Sequence, residues 1–421
     1  MSRAGYAVWV AAVVTACGAA PVAAQPITYR GFVEARGVVF PQDTFNDTQN
    51  VVADFLGRSE LFAQPRQWLQ LAAGAELRAN SHDQVDDRWR PDIADRGTLR
   101  PRVSIRRLTA TLTRGPLTLD AGKQFVRWGK TDIVTPTDRF APRDFVNVID
   151  NDFLPVRGVR GVLELGAHTL DAVWLPFFTP SRLPLFDQRW TPVGGGFIGR
   201  EQDPSFPERS QAGVRWGYAG SGYDFSVSFF DGFNHLPNIE PDVSYGPSSI
   251  VVGSIGPIEI PIRKRYPALR MYGGDAAVPT RWFTLKGEVG SFTSSTPLSD
   301  DFVLYVVQLE RQKGEWVFVG GYAGEAVTAR RAQNAFAPDR GTSKSFIGRA
   351  SYTIDVNRSA AIEGAVRQNG DGVYAKGEFS QARGSHWRVT ASGVFIRGEP
   401  DDFIGQFRLN SHVALALRYS F

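Results

Sequence analysis

The chain ends Asn410-Ser411-His412-Val413-Ala414-Leu415-Ala416-Leu417-Arg418-Tyr419-Ser420-Phe421. Val413, Leu415, Leu417, Tyr419 and Phe421 are apolar at every second position, and Ala414, Ala416, Arg418 and Ser420 between them are small or polar. A repeat of two puts the sets on opposite faces of a β-strand, so the spacing predicts a strand with one apolar face. Alternation does not name the solvent: the last strand of a soluble sheet would read the same way.

Working outward, the pattern recurs in segments of about ten residues, the length a tilted strand needs to cross hydrocarbon. Leu69, Leu71, Ala73, Ala75 and Leu77 oppose Gln70, Glu76 and Arg78, and Phe283, Leu285, Gly287 and Val289 oppose Thr284, Lys286 and Glu288. Val303, Tyr305, Val307 and Leu309 oppose Gln308 and Glu310, and Trp387 to Phe395 alternates likewise. A sandwich buries apolar side chains on its inner face, whereas a wide barrel encloses water, so charge on the second face favours a membrane barrel. Arg106-Arg107 breaks one such segment and implies a bulge. Gly 43, aromatic 12% and Met 2 suit strands and turns.

Short turns at Arg114-Gly115, Gly166-Ala167, Ala219-Gly222, Lys313-Gly314, Asp355-Asn357 and Arg383-Gly384 mostly alternate with longer loops near 79–101, 128–157, 178–209, 231–263 and 324–344. Long loops outside and short turns inside is the membrane-barrel rule, and the tight Asn369-Gly370 turn breaks it. A count of about seventeen strands must become even. Either Thr28 to Phe40 is not a strand, or Val51 to Leu61 supplies one more. The expected fold is all-β, a transmembrane antiparallel β-barrel of 16 or 18 strands with an inward-folded loop.

Arg3, the apolar run Ala4–Ala16 and the small residues Pro21-Val22-Ala23-Ala24 before Gln25 read as a signal peptide over 1–24, leaving 25–421 as one barrel domain. A competing reading takes Val14-Thr15-Ala16-Cys17-Gly18 as a lipoprotein box that would lipidate Cys17. Net charge +4 is too small for the length to argue for nucleic acid. The five His residues show no metal-ligand spacing, and no phosphate loop or nucleophile elbow is present, so no cofactor, metal or catalytic residue is expected.

Residues 120–180 differ from the rest. Charges of both signs crowd among Pro, Gly and aromatics, and Pro136 and Pro142 forbid regular strand, so a structured and functional loop is expected. Folded into the lumen, such a loop narrows the pore, and opposed charges select by charge and size. The positive candidates are Lys123, Arg127, Lys130, Arg139, Arg143, Arg157 and Arg160; the negative ones are Asp132, Asp138, Asp144, Asp150 and Asp152. Trp128 is either a substrate platform or a packing residue. Mutual pairing that merely pins the loop stays open beside selectivity.

Gly122-Lys123-Gln124, Val126, Trp128-Gly129, Pro136 and Asp138, with Leu154-Pro155 and Trp174 to Pro180 further on, resemble the uncharacterised porin-like barrels of Gram-negative outer membranes. Lys130 stands where that family often has Glu. The terminal aromatic resembles the closing strand of such barrels, which implies recognition of Phe421 by the barrel assembly machinery. The resemblance implies an outer-membrane channel, monomeric or trimeric, surrounded by outer-membrane lipid, that passes small solutes or exports a hydrophobic compound. An anchor or adhesin binding through its loops, or an outer-membrane hydrolase, is the alternative.

Overall fold

A computed structural model describes residues 27–132, 134–191, 197–201, 204–241, 258–331 and 337–421. The leader with Cys17, the Gly194-Gly195-Gly196 run and parts of three long loops lie outside the described residues. Eighteen strands form one closed antiparallel barrel. They are β1 Thr28–Val39, β2 Val51–Arg66, β3 Leu69–Asn80, β4 Val103–Arg114, β5 Leu117–Gln124 and β6 Val156–Leu165. There follow β7 His168–Leu175, β8 Gln211–Ala219, β9 Asp224–Phe233, β10 Ala268–Pro279, β11 Thr284–Thr293 and β12 Asp301–Lys313. The last are β13 Trp316–Ala329, β14 Ser345–Asp355, β15 Arg358–Arg367, β16 Gly372–Arg383, β17 Trp387–Gly398 and β18 His412–Ser420. Thr28–Val39 is therefore a strand, and Val51–Arg66 brings the number to 18.

The C-terminal strand closes the ring. Phe32 to Val39 of β1 pairs with Ser420 to Val413 of β18, and the Phe421 backbone exchanges hydrogen bonds with Gly31 at 2.9 and 3.0 Å. Val413, Leu415 and Leu417 are 56, 58 and 45% exposed, while Ala414 is buried. The same inversion recurs round the ring: Leu285, Val289, Val307 and Leu309 point outward, whereas Glu288 and Gln308 are buried inside. An outer surface of this kind suits hydrocarbon, where each such side chain leaving water contributes about 1.5–3 kcal/mol.

Arg106 is the bulge. Gly74 pairs with Arg107 and Ala75 with Ile105, so Arg106 has no ladder partner and both arginines reach the interior. Where β5 leaves the wall, Gly122 has φ +123° and a Cβ there would lie 2.0 Å from the Leu108 carbonyl oxygen, a position only glycine can fill. Beyond it β4 pairs in parallel with Pro91–Asp92, and residues 125–155 turn into the barrel. Val126, Trp128 and Phe140 of this segment pack on Val173, Leu175, Phe230, Met271 and Phe292 of the wall.

Candidate functional site

The first arm of the inward loop is fastened to the wall from β7 to β12. Glu288, 3% exposed on β11, accepts five hydrogen bonds from it: Lys130 N–H at 2.8 Å, Thr131 N–H at 3.0 Å, Thr137 N–H at 2.8 Å and the Thr131 and Thr137 hydroxyls at 2.8 Å each. Asp138 folds the arm on itself, accepting from Trp128 N–H at 2.5 Å, Gly129 N–H at 2.7 Å and Arg127 at 3.0 Å. Trp128 is buried and donates its indole N–H to Asp171 at 2.9 Å, so it packs rather than presenting an open face. Lys130 pairs with Asp224 and, at 3.2 Å, Asp275; Asp132 pairs with Gln308 and, at 3.0 Å, Lys286.

The second arm crosses to the opposite wall. Asp150 binds Arg36 of β1 at 2.5 Å and Lys376 of β16 at 2.7 Å. Burial raises its affinity for a proton, but the two cations outweigh that and hold it well below the usual carboxylate range. Asp152 lies 3.3 Å from Arg78, 3.6 Å from Arg58 and 3.9 Å from Arg106. Asp144 is buried between Arg100 at 2.9 Å and Arg182 at 3.2 Å, and against the effect of burial these likewise hold it far below its ordinary value. Arg139 pairs with Asp339 at 3.5 Å. Arg143 donates to Asn151 at 2.9 Å and stacks on Phe153, and burial lowers it to about 10.

Among the described residues, Arg127 and Asp138 form the ion pair within the loop and Arg143 bonds Asn151 there, while the loop's other candidate charges meet partners elsewhere, mostly on the wall. Lys123 meets Asp95 at 2.6 Å in a buried network at the rim, and Arg157 lies on the outward register of β6 with its guanidinium 4.6 Å from the Phe177 ring. Neither faces the open lumen. Arg160 is inward but bonded to Asp171 at 2.6 Å. Glu288, Asp171, Asp275, Arg36, Arg78 and Lys376 are the wall residues that sequence reasoning did not single out. Their inward parity was readable for Glu288 and Arg78; which loop residue each would meet was not.

The unfilled space is uneven. Toward the long loops lies a cavity of about 230 Å³, where Val148, Ile149, Leu236, Phe403 and Phe407 face Arg139, Arg143 and Asp339. Below the second arm lie three spaces of about 460, 510 and 600 Å³ that share bordering residues. Arg36, Asp150 and Arg418 border the first two, and Arg58 and Asp152 border the first and third. Ile149 and Asn151 border both the upper cavity and the 460 Å³ space, so residues 147–152 form the partition. Arginine and lysine outnumber carboxylates along the lower spaces because the first arm has occupied the acidic wall.

No family model and no curated protein sequence matches this chain. Solved structures do. OccAB4 of Acinetobacter baumannii is 9% identical with a TM-score of 0.56, covering 96% of this chain and 100% of that one. A BenF-like porin from Pseudomonas fluorescens Pf-5 is 10% identical with a TM-score of 0.53 over 94% and 97% of the two chains. OpdK of Pseudomonas aeruginosa, an outer membrane protein, is 11% identical with a TM-score of 0.51 over 94% and 99%. With its closed ring of 18 strands, apolar outer belt and inward loop, this chain has the fold of the porin-like barrels of the bacterial outer membrane.

Proposed function

We propose that the protein is an outer-membrane channel that passes small, preferentially anionic solutes along one side of its lumen. The observation that carries this is the division of labour between the walls. Acidic residues from β7 to β12 are spent on holding Arg127–Asp138, and the space left over borders arginines of β1 to β4 and β18 with Lys376 and Arg388. A wall of one sign focuses the field and concentrates ions of the other. The charged lower spaces favour ionic solutes over export of a hydrophobic compound. The apolar side of the upper cavity would accept the body of an amphipathic one.

Residues 127–152 are the proposed constriction, with Arg139 and Arg143 its cationic edge lining the upper cavity. In planar bilayers the protein should conduct, and Arg139→Ala/Arg143→Ala should shift the reversal potential toward cations. Absence of conductance would favour an anchor or adhesin, and an unchanged reversal potential would remove these two residues from the selective edge.

A further inference from the structure

We propose a second, outward site: Arg96 and Arg157 bind the phosphate of a lipid headgroup in the outer leaflet. Val159 pairs with Trp174, which is 50% exposed, and Arg157 keeps the same parity two residues earlier, on the lipid-facing side near the long-loop end of β6. Its guanidinium lies 4.6 Å from the ring of Phe177, also 50% exposed, and its Nε is buried with no hydrogen-bond partner among the described residues. Arg96 reaches the same rim, donating Nε to the Phe178 carbonyl at 3.0 Å and stacking on Phe206.

Their contacts are to the adjacent residues Phe177 and Phe178, which makes the two arginines neighbours on this rim. Asp92 and Asp95 are the nearby carboxylates. Neither forms an ion pair with these arginines, and Asp95 already serves Lys123 at 2.6 Å and Arg182 at 3.0 Å. Further round the same rim the outward Arg209 and Arg270 share Asp231, at 2.9 and 3.6 Å. The β6–β7 rim thus has two arginines with no direct ion-pair partner among the described residues, where the Arg209–Arg270 rim is paired. An arginine pair between half-exposed aromatics, at headgroup depth, matches a phosphate whose acyl chains lie along Trp174 and Phe177.

Detergent-purified protein is incubated with bisphosphorylated lipid A, with the same lipid after phosphatase treatment, or with bisphosphorylated lipid A plus excess inorganic phosphate. Lipid retained through gel filtration is measured by native mass spectrometry. Bisphosphorylated lipid should be retained about tenfold better than the dephosphorylated form, and about tenfold better than by Arg96→Gln/Arg157→Gln. Arg209→Gln/Arg270→Gln should behave as wild type, and unchanged bilayer conductance of both variants reports an intact barrel. Equal retention of the two lipids, undiminished retention by Arg96→Gln/Arg157→Gln, or full displacement by inorganic phosphate would overturn the lipid assignment.

Discussion

Five donors from the loop converge on Glu288, more than on any carboxylate within the loop itself. Glu288→Gln turns one acceptor oxygen into a donor facing backbone N–H groups, and hydrogen bonds to a charged group are each worth about 1.5–3 kcal/mol. The first arm should loosen, and single-channel records should gain current noise and larger conductance levels; a quiet, wild-type trace would contradict the anchoring role. His235 makes a pH-dependent contribution. Its ring nitrogens lie 2.7 and 2.9 Å from the Thr179 and Arg139 carbonyl oxygens, which favours the imidazolium, but burial dominates and lowers it to about 4. The unfolded chain therefore binds the proton first. Stability from the neutral ring is full above about pH 6.5 and is lost toward pH 4, by roughly 3 kcal/mol if the whole shift is expressed. Melting in detergent should fall over that window in wild type and stay flatter in His235→Asn; parallel curves would contradict it.

At the scale of elements, the strands were legible because one rule governs each of them. Outward and inward residues alternate, so Val413 and Leu415 or Lys286 and Glu288 announce their faces without knowledge of their neighbours. The bulge was legible for the same reason, since Arg106-Arg107 breaks the repeat. The loop was legible only as a departure from strand: Pro136 and Pro142 excluded regular pairing, but the partners of Lys130 or Asp150 lie on strands more than ninety residues away, and no local period encodes them. Lys123 illustrates the limit, because its burial depends on Asp95 from a different loop. The C-terminal element carries its own expectation. Phe421 stacks on Tyr29 at 5.5 Å and closes the β1–β18 seam, and we propose that assembly machinery reads it before that seam forms. Phe421→Ala should lower the yield of barrel in the outer membrane while protein refolded in detergent keeps its strand content; an unchanged yield in cells would contradict the signal role.

For the whole molecule, the barrel wall and the loop divide the lumen by charge. The acidic wall from β7 to β12 is consumed as an anchor, and solutes are left the arginine-rich wall from β1 to β4 and β18. A mutually pinned loop would have left both signs evenly spread; instead Asp150 and Asp152 reach across to Arg36, Lys376 and Arg78 and leave a net cationic border on the lower spaces. Screening at high salt weakens such a field, so selectivity should rise as ionic strength falls. The most direct measurement is the zero-current potential of the purified protein in a planar bilayer under a KCl gradient. Its sign should report chloride preferred over potassium, with a preference that grows in dilute salt. A potassium-selective potential, or a bilayer that stays closed to both ions, would contradict a passage along the basic wall.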